Sequence, residues 1–387
     1  MKKAKLFLII ISVVCIILGT AMAVGAHLSL ANDASAQLAE LKFEETTHTV
    51  DEPFTKLNIH TVNSAIEILP SPDRVCRIVC DDNEKLFHSI SVTESVQGVQ
   101  LNIHQLDDWQ WYEMLSGLYQ AEDINLRVYL PESEYALLHA DSSSGDITVA
   151  PDFRFQTANL HSTSGNIQLT GLEADNLTAD TVSGDLVLRN IAAAKDIYAH
   201  NASGFIQVEH VIAPNITTSS SSGGTVLDNV SSDFLHTSSV SGEIRVFNGS
   251  FRDYSYFETG SGHIEIVDSE SGKQVMLTVS GSVSLQNVSG SSLNTSTGSG
   301  AVSIWEALYS GNVLCRTVSG EIMFTGLDAA NLELLTSSGD VSGNLLTAKN
   351  FITETSSGYV TVPPSDEASG TCHISTTSGN ISIAIKP

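Results

Sequence analysis

From residue 141 onward, apolar and polar residues alternate in short runs, and every run breaks at the same dipeptide. "SSSGDITV" at 142–149 returns as "STSGNIQL" at 162–169, "TVSGDLVL" at 181–188 and "TTSGNISI" at 376–383. The glycines of these phrases are Gly145, Gly165, Gly184, Gly204, Gly223, Gly242, Gly262, Gly281, Gly300, Gly320, Gly339, Gly358 and Gly379, spaced 19 or 20 residues apart and 21 at the last step. Ser precedes all thirteen. Ser or Thr stands three before the glycine in twelve, with Asn201 the exception. Two and four residues after it an apolar residue fills twelve of thirteen, the exceptions being Thr225 and Gly343.

Apolar residues at every second position describe a strand with one face inward. The phase slips at Ser-Gly, so the chain bends there, and glycine is expected to supply the unusual backbone angles of a tight corner. Each unit is then strand, corner, strand and a variable loop. A unit this small cannot bury its own apolar face, but stacked copies about 4.8 Å apart share one continuous core. The expectation is an all-β fold: a parallel β-solenoid (β-helix) of about thirteen 19–20-residue coils in chain order, roughly 58 Å long. A β-propeller is excluded because its blades need about 40 residues. The Ser and Thr columns should form hydroxyl ladders that satisfy the bend.

Residues 46–140 read as less regular β-structure. "NSAIEIL" at 63–69 is a worn copy of the phrase with Ser64 in the glycine's place, and "VQLNIH" (99–104) and "INLRVYL" (124–130) are further alternating strands. Within this region "DDWQWYEMLSGLYQAED" at 107–123 breaks the β rhythm and gathers Trp109, Trp111 and Tyr112. It reads as a cap over the open N-terminal end of the stack, or as an aromatic binding surface for sugar rings or a partner.

The first residues carry Lys2, Lys3 and Lys5, followed by an uncharged stretch at 6–26. As a helix it spans about 30 Å, the thickness of a hydrocarbon core. Residues 1–5 are then a cytoplasmic tail, 6–26 a transmembrane anchor or a signal peptide, and 27–45 a short helical stalk. Under both readings residues 46–140 and the repeats of 141–387 lie outside the membrane.

The S-G-[DN]-[IL] phrases, from Ser144 to Ile147, Ser164 to Ile167 and Ser183 to Leu186, together with the upstream "INLRVYLP" and the N-terminal span, resemble the bacterial putative-adhesin family of β-strand-repeat proteins. The resemblance covers nearly everything from about residue 50. It implies a membrane-attached envelope protein with a β-helical exterior, and it carries over no catalytic residues.

Charge narrows the function further. With 44 acidic residues against 18 basic ones, the net charge of −26 argues against nucleic acid and against an anionic membrane surface. The rival reading is a polysaccharide hydrolase or lyase on a β-helix. A lyase needs cations to neutralise a uronate, but residues 141–387 hold nine scattered basic residues. A hydrolase needs two carboxylates, and Asp146 and Asp185 share a column with Asn166 between them, about 9.6 Å apart. Corner Asp and Asn are commonplace, so the expectation is a non-catalytic surface module that needs no cofactor. Its expected partners are cell-wall glycan or an envelope protein, with the membrane reached through the N-terminal helix. The sequence also offers one candidate metal site. His161, Asp180 and His200 each stand four before their glycines and should stack outward on three adjacent coils. The cysteines at 76, 80, 315 and 372 read as buried free thiols, the last two separated by three coils.

Overall fold

β-Branched and hydroxyl residues dominate the repeat, and they build strands wherever alternation lets one face point inward. The computed structural model describes residues 43–96, 98–107, 124–367 and 370–386, and every regular element among them is a strand. Coils stack in parallel and in register. The residue two after each corner pairs with its equivalent in the next coil, from Ile66 through Ile147, Ile167, Leu186, Ile206, Thr225, Ile244 and Ile264. The column then continues through Val283, Val302, Ile322 and Val341 to Ile381. These side chains, with those at five and seven before the corner, form one unbroken apolar core over about twelve turns.

The stretch expected to be a variable loop is a third wall. Residues seven and nine after the corner, such as Leu172 and Ala174, Val211 and Ala213, or Leu327 and Ala329, are buried against the same core. The chain reaches this wall by a second corner, at the sixth position after the glycine. Gly171, Asn190, His210, Asn229, Asn248, Asp268, Asn287, Glu306 and Gly326 all take φ between 51° and 68° there. That left-handed conformation suits Gly and is far commoner for Asn, Asp and His than for other residues. The polar column is therefore a structural signal.

At the N-terminal end, Ser64 occupies the glycine column as the worn phrase implied. Strand Lys56–Thr61 pairs in parallel with Gly98–Asp107, and Ala65–Pro70 with Asn125–Leu130. Below these levels the direction reverses. Cys76–Asp82 lies antiparallel on Asn125–Leu130, Glu44–Val50 antiparallel on Cys76–Asp82, and Leu86–Ser95 antiparallel on Gly98–Asp107. Three antiparallel strands thus close the parallel stack. Strand begins at Glu44, so the last residues assigned to a helical stalk belong to this closure. The segment at 6–26 expected to be a transmembrane anchor or signal peptide, and the aromatic residues Trp109, Trp111 and Tyr112, lie outside the described residues. Among the described residues no helix is long and apolar enough to cross a membrane.

The C-terminal end departs from chain order. Leu332 pairs with Cys372 and Val341 with Ile381, while strands Asn350–Thr355 and Val360–Thr361 lie on the far side of those same partners. The coil of Gly379 is therefore inserted between those of Gly339 and Gly358. Composition explains the swap. The inserted coil turns in Cys372, Ile374, Ile381 and Ile383, each at most 5% exposed, whereas the outer coil offers Phe351, Thr353, Val360 and Val362 and leaves them partly or fully exposed. The more apolar coil takes the position covered on both sides. Lys349 fixes the crossing point: its ammonium is buried and lies 2.8 Å from Asp328 Oδ1. The swap also brings Cys372 within two coils of Cys315, rather than three.

Candidate functional site

The corner comes first, because every exposed face is positioned by it. None of the thirteen corner glycines has positive φ. The expected conformational reason for glycine is thus incorrect, and the physical reason is close approach. A Cβ at any of them would fall no more than 2.1 Å from a backbone carbonyl oxygen of the adjoining coil. The expected hydroxyl ladder is present and links the coils. Thr181 Oγ1 accepts from Gly184 N at 3.1 Å and donates to Gly165 O at 3.1 Å. Thr259, Thr278, Thr297, Thr317, Thr336 and Thr376 repeat both bonds. Asn201 makes neither, and both of its side-chain polar atoms are buried without a partner.

The residue after each corner faces solvent, and this is where the hydrolase reading looked for carboxylates. Asp146 Oδ1 accepts from Asn166 N at 2.7 Å, Asn166 Oδ1 from Asp185 N at 2.8 Å, and Asp185 Oδ1 from Phe205 N at 2.7 Å. Asp340 and Asn380 do the same near the C-terminus. Asp146 and Asp185 do share one column, and each caps the backbone of the next coil.

On the outward face of the strands before the corner, the column four residues ahead of the glycine carries a longer series than the sequence suggested. Register places His104, His60, Asp141, His161, Asp180 and His200 one above another. His161 Nδ1 lies 3.3 Å from Asp180 Oδ2, and His60 Nδ1 lies 3.4 Å from Asp141 Oδ2. The structure therefore joins His161 to Asp180 and stacks His200 in the next coil. The rings of His60 and His104 stack with centroids 5.1 Å apart, and His139 meets His60 edge-on at 5.3 Å. Desolvation, then the neighbouring His60, lowers the pKa of both His104 and His139.

Sequence reasoning missed a second outward-facing feature farther along the same face, with Phe234 exposed and Tyr254 and Tyr256 half-buried. Phe234 pairs with Tyr254 and His236 with Tyr256 across adjacent coils. Tyr254 and Tyr256 stack at 6.3 Å, His236 meets Tyr256 edge-on at 5.0 Å, and Lys273 Nζ lies 5.8 Å from the Tyr254 ring centre. Phe234 is 49% exposed, whereas Leu235 beside it is buried in the core. Tyr256 donates to Glu258 at 2.8 Å, and its phenol is pushed up to about 12 by desolvation and then by that carboxylate. The signal was parity: in "FRDYSYF" at 251–257, Phe251 and Phe257 point inward, so Tyr254 and Tyr256 point out.

The N-terminal closure holds a buried polar chain. His88 Nδ1 lies 2.6 Å from Asp82 Oδ1, and His88 Nε2 lies 3.2 Å from Ser64 Oγ. This has the order of a nucleophile relay, but Ser64 is fully buried. The amides of Val62, Asn63 and Ser64, which could hold an oxyanion, all donate to Gln105 Oε1. No acyl substrate fits there. Cys76, Cys80, Cys315 and Cys372 are free and buried, and burial pushes their thiols up to about 12.

Against known proteins, no curated sequence matches the chain. Solved structures align with most of its length. A "putative cell adhesion protein" from Clostridium sporogenes ATCC 15579 is 10% identical, with 89% of this chain and 100% of that one covered at a TM-score of 0.19. A "putative adhesin" from Parabacteroides distasonis ATCC 8503 is 10% identical over 89% and 98% at 0.28. From the same organism, a "putative lipid binding protein" is 14% identical over 87% and 96% at 0.26. The profile of one family, Toastrack DUF4097, matches residues 54–211 and again 192–384, the two matches together spanning nearly all of the solenoid and its N-terminal closure. The chain belongs to the Toastrack DUF4097 family.

Proposed function

We propose that the chain is a non-catalytic cell-envelope module. In this reading the solenoid stands outside the membrane, tethered through residues 6–26, and binds cell-wall glycan or an envelope protein along its faces. The observation that carries it is the engagement of the corner carboxylates. Asp146 and Asp185, the pair a glycosidase would use, are tied to backbone amides of the next coil. Such carboxylates serve as caps, and an acid–base pair would need a free proton acceptor facing a substrate. Six of the nine basic residues of 141–387, the cations a lyase would draw on, are also engaged. Arg154, Arg189, Lys195, Arg245, Arg252 and Lys349 each face a carboxylate.

Phe234, Tyr254 and Tyr256 supply the surface best suited to a sugar. Outward aromatic rings on a regular sheet offer apolar area at low entropic cost, with His236, Glu258 and Lys273 beside them for hydroxyl groups. The test is calorimetric titration of the purified chain with solubilised cell-wall oligosaccharides, comparing wild type with Tyr254→Ala. Binding that falls at least tenfold with an unchanged melting curve supports the reading. Undiminished binding in the variant would remove the platform from it.

A further inference from the structure

The N-terminal closure contains a group of side chains that the glycan reading does not use. Cys80 and Asp82 point inward from strand Cys76–Asp82, and His88 points inward from strand Leu86–Ser95. One ligand atom from each lies within 4.8 Å of the other two, the only such trio of His, Cys, Asp or Glu among the described residues. We infer that Cys80, Asp82 and His88 form a binding site for a divalent transition metal, zinc by preference, which clips together two of the three strands that close the solenoid.

Three features carry the inference. The first is the donor set: one thiolate, one imidazole and one carboxylate match a borderline-soft ion and not a hard one such as calcium or magnesium. The second is charge. A thiolate and a carboxylate around a dication sum to zero with a neutral imidazole, so the buried site carries no net charge when loaded. The third is the surrounding shell. His88 Nε2 is held by Ser64 Oγ at 3.2 Å, which leaves Nδ1 directed at Asp82, and metal-bound histidines are oriented by such an outer hydrogen bond. Asp82 Oδ2 accepts from Thr46 Oγ1 at 3.1 Å, so the carboxylate is oriented too. The connection between the strands is pinned, with Asn83 Oδ1 accepting from the amides of Lys85 and Leu86 at 2.8 Å each. No short zinc motif marks the site because its ligands come from two strands and span Cys-x-Asp-x5-His.

The site is independent of glycan binding and is tested on the purified full chain, stripped with chelator and titrated with zinc chloride. The expected result is one zinc per chain at micromolar affinity or tighter. Cobalt substitution should show a thiolate-to-cobalt charge-transfer band, retained in Cys76→Ser and lost in Cys80→Ser. Ser64→Ala should weaken zinc 10–100-fold through the outer shell. If Cys80→Ser does not fold, the wild-type cobalt spectrum decides: absence of the sulfur band overturns the proposal. Binding no tighter than millimolar also overturns it. So does zinc binding lost in His161→Ala but retained in Cys80→Ser, which would place the metal on the exposed histidine column.

Discussion

Asn201 is the one residue in its column that lacks a hydroxyl, and replacing it should stabilise the protein. In the coil below, Thr181 accepts from its own corner glycine and donates to the carbonyl of the previous one. Asn201 is fully buried and satisfies neither its amide nitrogen nor its oxygen. Asn201→Thr should form the two missing bonds, to Gly204 N and Gly184 O. Each is worth about 1 kcal/mol, and relief of an unsatisfied buried group is worth about 1–3 kcal/mol. Allowing for overlap between these terms, the gain is about 2–4 kcal/mol. Unfolding entropy near 2.1 cal/mol/K per residue converts this to a rise in Tm of about 3–5 °C if the chain unfolds as a unit. Solenoids also open locally, so amide exchange should be read alongside the thermal melt, and Gly204 should become more protected. The reverse change, Thr317→Asn, should destabilise by a similar amount. An unchanged or lowered Tm together with unchanged exchange at Gly204 would refute the ladder as a source of stability.

Two further expectations follow from the same geometry. Gly262→Ala places a Cβ 1.9 Å from Gly242 O, a backbone clash that no rotamer relieves; it should cost on the order of 3 kcal/mol or more in a denaturant melt, and a neutral result would mean the coils are not in contact there. His104 and His139 have folded pKa values below the ordinary 6.5, His104 facing His60, and His139 facing His60, Asp141 and His161. The unfolded chain then takes up protons first on acidification, so their contribution to stability, intact above about pH 6.5, is lost as pH falls from there through the folded values. His139→Asn should flatten the dependence of Tm on pH between about 7 and 5, and an unaltered slope would assign it to other groups.

The stacking direction, the core columns and the hydroxyl ladder were legible because a unit that cannot bury its own face leaves its inward residues as a strict column. Three things were not. Corner glycine is compatible with either a special φ or a close contact, and only the position of the neighbouring carbonyl distinguishes them. The third wall was hidden because its apolar pair, for example Ile191 and Ala193, follows a polar corner residue that shifts the phase again. The exchange of the last two coils rests on a comparison of whole coils, Cys372, Ile374, Ile381 and Ile383 against Phe351, Thr353, Val360 and Val362, which a column-by-column reading does not make. The candidate surfaces divide the same way. His161 and Asp180 shared a visible column, whereas Phe234 meets Tyr254 only across the coil spacing.

The central functional claim is that this solenoid binds without turning over its ligand. Purified chain incubated with insoluble cell-wall material should be measured at once for protein retained on the wall and for new reducing or unsaturated sugar ends in the supernatant. Retention with no increase in released ends is the predicted result. Release of ends that grows with time and with protein concentration would contradict the account and establish the β-helix as a glycan-cleaving enzyme.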